Sequence, residues 1–155
     1  MSKETAKYQA SNLIRYTADA FFYPFYSLFL LSIGKTEREI GIVLMIIPLI
    51  AIFINPLWSF FAKDVNHNKI LAIIFSIVEA IVVISLLAFT NLIAIIIFTI
   101  IIGIVNQPFY LLFDSYITVY TIESKENYSA IRMFGSLGYA LGVVISGILI
   151  KATGK

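Results

Sequence analysis

"LIAIIIFTIIIGIVNQPFYLLFDSYITVY", residues 92–120, is an apolar run that carries one carboxylate, Asp114, in its second half. About 20 helical residues cross the roughly 30 Å of a bilayer's hydrocarbon, and this run exceeds that length. A carboxylate inside it costs on the order of 2.5–3.5 kcal/mol near the helix centre, unless something pairs with it or uses it. Similar runs recur along the chain, at about 10–33, 40–62, 70–90, 92–120 and 130–150. The expected fold class is therefore all-α integral membrane, with five transmembrane helices in one partial bundle over 1–155. The connectors, such as "GKTEREI" and "ESKENYSA", are short, so neighbouring helices are expected to form antiparallel hairpins.

Composition points the same way. The 155 residues are 60% hydrophobic and 13% charged, more apolar surface than a soluble domain of this size can cover. The lipid bilayer is the expected surrounding. The net charge of +2 is dispersed, so nucleic acid is not an expected partner. The absence of Cys removes disulfides and thiolate metal sites, and the lone His67 reads as a solvated loop residue. Neither a cofactor nor a metal is expected. The N-terminal stretch "MSKETAKYQASNLIRYTADA" has no short apolar core or cleavage site and does not resemble a signal peptide.

Orientation follows from the basic residues. With the N-terminus cytoplasmic, the inner segments hold Lys3, Lys7, Arg15, Lys63, Lys69, Lys125 and Arg132, and the outer side holds Lys35, Arg38, Lys151 and Lys155. Seven against four, together the 11 Lys and Arg of the chain, favours that arrangement. An odd number of spans leaves the C-terminus outside, which leads to the expectation that the chain is a fragment.

Asp114 has a partner in the sequence. Glu123 lies in the connector before the last span, and Asp114 and Arg132 each stand nine residues from it. In an antiparallel hairpin two such positions share a depth, and a guanidinium there can take a carboxylate bidentately. Such a pair is either a fixed ion bridge or a site at which substrate or a proton competes for one partner. Spacings of three and four place Gly103, Gln107, Tyr110, Asp114 and Thr118 on one stripe, and Arg132, Ser136, Tyr139 and Ser146 on another. Beside the second stripe run Gly135, Gly138 and Gly142, small residues that allow close helix packing.

The first span repeats the pattern with Asn12, Arg15, Asp19, Tyr23 and Tyr26. Arg15 and Asp19, four residues apart, either pair with each other or face a cavity. Glu79 lies near the middle of the third span, with no opposite charge within a turn. Burial disfavours its charged form, so it reads either as a proton carrier or as a protonated, hydrogen-bonded packing residue. "PFYSLF" at Pro24–Phe29 and "PFYLLF" at Pro108–Phe113 match at five of six positions. They suggest either an inverted three-helix repeat or chance in an aromatic chain. Both prolines are expected to loosen their helices beside a cavity.

"NYSAIRMFGSLGYALG", residues 127–142, resembles the fifth-helix segment of the lactose permease branch of the major facilitator superfamily. "YPFYSLFLLSIGKTEREIGIVLMIIPLIAIFINPLWSFFAKD", residues 23–64, resembles the same proteins from the first helix to the loop after the second. The resemblance covers essentially the whole chain and is strongest at 23–69 and 106–142. It implies a twelve-helix proton-coupled transporter, of which these are five helices of the N-terminal six-helix bundle. A C-terminal half, a small-molecule substrate and protons would be its partners.

By that resemblance, Arg132 falls on an arginine that binds sugar and pairs with a fourth-helix carboxylate, and Asp114 falls on that carboxylate, one methylene shorter. Tyr139 falls on a tryptophan that stacks on the sugar ring. Related branches that carry nucleosides or aromatic acids share the Arg–aromatic–Gly segment, so a sugar-like or nucleoside-like solute is expected rather than a galactoside. Gln107, Asp19, Tyr23 and Tyr26 are the further substrate-lining candidates, and Glu79 is the proton-coupling candidate although it has no clear counterpart. The loop after the second helix acts as a gate in that superfamily. Here it departs from the pattern, with Ser59 for a glycine, Lys63 where an aspartate belongs, Asp64 one place late, and Lys69 keeping the final charge.

The leading expectation is a secondary active transporter working by proton symport in the plasma membrane. The alternative is a truncated membrane protein without transport activity of its own; the 155 residues by themselves are not expected to transport. No His cluster, nucleophile–base set or phosphate-cradling glycine loop supports an enzyme.

Overall fold

The computed structural model describes residues 3–61 and 65–153, with the side chains of 59, 61, 65–69 and 153 outside that description. The elements are α1 (Lys3–Phe22), a single 3₁₀ turn (Tyr23–Phe25), α2 (Tyr26–Ser32), α3 (Glu37–Phe61), α4 (Val65–Leu86), α5 (Leu92–Ser124) and α6 (Tyr128–Thr153). Among the described residues there is no strand. The chain is an all-α membrane protein, as its apolar runs require.

Among the described residues, three helices are long and apolar enough to cross a bilayer, over Glu37–Trp58, Leu92–Ser124 and Tyr128–Ala152, and the apolar part of α4, Ile70–Leu86, is shorter. The 33 residues of α5 reach about 50 Å, well past the hydrocarbon thickness. Its last two turns are therefore free to serve a different purpose from its apolar centre.

The first expected span is not one helix. α1 begins at Lys3, well before residue 10, and ends at Phe22; Pro24 then sits in the 3₁₀ turn that separates it from α2. Proline has no N–H to give and its ring crowds the carbonyl four residues back, here Ala20. That carbonyl lies 3.3 Å from Ser146 Oγ on α6. Pro108, by contrast, lies inside an uninterrupted α5. The two "PFY" segments thus differ in local structure, and only the first proline loosens its helix.

Side chains start several helices. Thr36 and Glu39 close a reciprocal cap on α3: the Thr36 N–H donates to Glu39 Oε2 at 2.8 Å, and the Glu39 N–H donates to Thr36 Oγ1 at 3.3 Å. Asn91 Oδ1 accepts from the Ile93 N–H at 2.8 Å before α5, and Asn127 Oδ1 from the Ser129 N–H at 2.9 Å before α6. Gly34, at φ 79, turns the chain after α2 in a conformation that a side chain would strain. Thr36→Ala is expected to cost about 0.5–2 kcal/mol. A thermal midpoint in detergent unchanged by that substitution would show the cap to be idle.

The chain divides into two compact units, one formed by the residues up to Ser32 together with those from Ile117 onward, the other by Ile33–Tyr116. In the first, α1 packs along α6. The second holds α3, α4 and the larger part of α5. There Trp58 meets Phe75 edge to face at 5.1 Å, Phe89 lies 5.1 Å from Phe98, and Ile50 of α3 packs on Gly103 of α5.

Candidate functional site

In the first unit the α1–α6 seam is built on glycine. A Cβ added at Gly138 would overlap the Leu13 carbonyl oxygen and stand 2.9 Å from Thr17 Oγ1. One at Gly142 would stand 2.7 Å from the Ala20 Cβ and 2.9 Å from the Thr17 carbonyl oxygen. Backbone-to-backbone approach this close is what small residues allow in a membrane. It brings Thr17 Oγ1 to 3.0 Å from the Gly138 carbonyl, while also 2.7 Å from its own Leu13 carbonyl, so one hydroxyl proton serves both helices. Ser146, read from the sequence as part of the polar stripe with Arg132, lies instead on this glycine face: it is buried and its hydroxyl is 2.7 Å from the Gly142 carbonyl.

Arg132 stands one turn before Gly135 on α6, half-buried, with its guanidinium carbon 5.3 Å from the centre of the Tyr16 ring of α1. That is cation–π distance. Asn12, fully buried, donates from Nδ2 to the Tyr8 carbonyl at 3.0 Å. On the same helix Arg15 and Asp19 form an ion pair at 3.2 Å, with Asp19 5% exposed. Of the two readings left open for them, mutual pairing is the one observed. Tyr26 is wholly buried between Phe22 and Phe29, its ring 4.8 and 6.5 Å from theirs, and Tyr23 lies edge-on to Phe22. Tyr26 is therefore packed as core. Tyr139 is exposed.

Where α5 overruns the apolar core, its end joins a polar cluster. Thr5 Oγ1 donates to Glu126 Oε1 at 3.1 Å and lies 2.8 Å from Tyr120 Oη. Since the single Thr5 proton goes to the carboxylate, the tyrosine is the donor in the second bond. Tyr8 packs on Tyr120 with ring centres 4.6 Å apart.

In the second unit Glu79 of α4 accepts a hydrogen bond from Asn106 Nδ2 of α5 at 2.7 Å, and both residues are buried, at 5% and 2% exposure. Removing the donor from a buried acceptor costs about 1–3 kcal/mol, whereas replacing both partners by apolar groups is nearly neutral. Asn106→Leu is accordingly expected to lower the unfolding midpoint, and Glu79→Leu with Asn106→Leu to recover most of the loss. Equal midpoints for Asn106→Leu and the wild type would remove the bond from the account. Asp114 and Gln107 are half-buried on α5. The gating-loop reading of Ser59, Lys63, Asp64 and Lys69 falls outside the described side chains.

Sequence spacing singled out neither Tyr16, Thr17 nor Thr5. A signal for the first two exists in retrospect: Leu13, Thr17 and Ala20, with Asn12 and Tyr16 beside them, recur on one helical face opposite the glycines.

Apolar helices of spanning length, beside a largely buried Arg15–Asp19 ion pair in one unit and a buried Glu79–Asn106 bond in the other, mark an integral membrane protein whose buried polar groups are candidates for function. The chain belongs to the MFS_1 like family, whose model matches residues 6–155, and is thus related to the major facilitator superfamily. Membership points to transport rather than to catalysis. No curated protein and no solved structure matched the chain.

Proposed function

We propose that this chain is the N-terminal part of a lactose permease-like secondary transporter that couples a small polar organic solute, sugar-like or nucleoside-like, to protons. In this reading it lies in the plasma membrane with its N-terminus cytoplasmic, and a C-terminal half completes it. The observation that carries the proposal is Arg132, a guanidinium in the second turn of the apolar helix α6 and within the segment that resembles the permease motif, at cation–π distance from the Tyr16 ring of α1. A charge within an apolar spanning segment is retained where it meets substrate or a counter-charge. Asp114, Gln107 and Tyr139 are the further substrate-facing residues, and Glu79 is the proton-coupling candidate, with Asn106 able to bond it in either protonation state.

The test is uptake by proteoliposomes holding the full-length protein, screened across sugars, nucleosides and aromatic acids. Accumulation is expected to follow an inward proton gradient and to collapse when a protonophore dissipates it. Uptake that follows sodium and ignores pH would overturn the coupling. Orientation is read by impermeant thiol labelling of single cysteines placed at Lys3 and Lys35, which the proposal assigns to opposite sides.

A further inference from the structure

Tyr16 has no part in the motif or in the stripes read from the sequence, yet it is the residue on which Arg132 rests. The Arg132 guanidinium carbon stands 5.3 Å from the centre of its ring. The edge of that ring is pressed into α6 at Gly135, where an added Cβ would stand 2.8 Å from Tyr16 Cδ2 and 3.0 Å from Cε2. Asn12 Oδ1 bounds the same notch, 3.4 Å from that Cβ position, and Asn12 is itself fixed by its bond to the Tyr8 carbonyl. A ring confined in this way has little rotamer freedom left. A guanidinium laid over it keeps its N–H fork in a defined plane, which lowers the entropy lost when acceptor groups bind.

We infer that Tyr16 is a positioning residue for Arg132, and that Gly135 is the notch that lets the ring reach its place. The assignment rests on the reading of Arg132 as a substrate-binding group, but it is measured independently of any substrate. Phenylglyoxal modifies arginine side chains, and peptide mass spectrometry reads its rate at Arg132 in the full-length protein. Arg38, exposed at the start of α3, serves as the internal reference.

Tyr16→Leu is expected to raise the rate at Arg132 roughly 2- to 20-fold, the range that a cation–π contact is worth, with Arg38 unchanged. Tyr16→Phe keeps the ring face and is expected to stay within about twofold of wild type. Gly135→Ala leaves the tyrosine in the chain but displaces its ring, and is expected to behave like Tyr16→Leu. A wild-type rate in Tyr16→Leu overturns the assignment, as does a rise in Tyr16→Phe equal to that in Tyr16→Leu. A parallel rise at Arg38 and Arg132 in both Tyr16→Leu and Gly135→Ala also overturns it, because the chain would then have loosened as a whole. Unchanged solute uptake in Arg132→Ala would instead sink the substrate-binding reading and leave these rates untouched.

Discussion

Gly138→Ala is expected to disrupt the α1–α6 seam and to give the largest loss of stability of any alanine substitution at the described glycines. The new methyl group would overlap the Leu13 carbonyl oxygen, a backbone atom that cannot turn away as a side chain can. Accommodating it requires α1 and α6 to separate along the seam. Separation also lengthens the bond from Thr17 Oγ1 to the Gly138 carbonyl. Overpacking of this kind costs about 1–3 kcal/mol or more, and the lost bond adds to it. Gly147 supplies the control on the same helix, since its added Cβ would meet nothing nearer than Phe25 Cζ at 3.7 Å. Gly147→Ala is expected to be close to neutral, helped by the better helix propensity of alanine. Thermal midpoints in detergent decide the matter, and equal midpoints for the two variants would refute the seam argument.

Arg132→Ala and Asp114→Asn are each expected to abolish high-affinity solute binding in the full-length protein. Removing a charged group that binds solute in a desolvated site typically costs about 2–5 kcal/mol, which is roughly 30- to 1,000-fold or more in affinity. Arg132→Lys keeps the charge but loses the planar fork and the stacking over Tyr16, so it is expected to recover only part of the loss. Binding is read by isothermal calorimetry or thermal shift with a solute found in the uptake screen. Near-normal affinity in both Arg132→Ala and Asp114→Asn would remove these residues from the proposed solute site.

Hydropathy alone made the fold class legible, because a run such as 92–120 has few alternatives to a helix in lipid. The caps at helix starts are equally local, with Thr36 three residues before Glu39 and asparagines preceding α5 and α6, but they were identified only from their bonds in the structure. Helix continuity was less legible. Pro24 and Pro108 sit in nearly identical hexapeptides, yet one interrupts its helix and the other does not, so the hexapeptide by itself does not decide continuity. The polar stripes were drawn from angular position on single helices, which cannot say what lies opposite. Ser146 was for that reason grouped with Arg132, although its hydroxyl belongs to the glycine face.

The sequence by itself determined that this is an all-α membrane protein, and it carried the motif that places the chain near the major facilitators. Period and apolarity are local quantities, and a bilayer leaves helices as the natural way to satisfy the backbone of such runs. Only the tertiary structure decided that Gly138 and Gly142 meet Leu13, Thr17 and Ala20, that Glu79 meets Asn106, and that Arg132 lies over Tyr16. Those partners are 27 to more than 100 residues apart along the chain, and which helix faces which is set by close packing between elements.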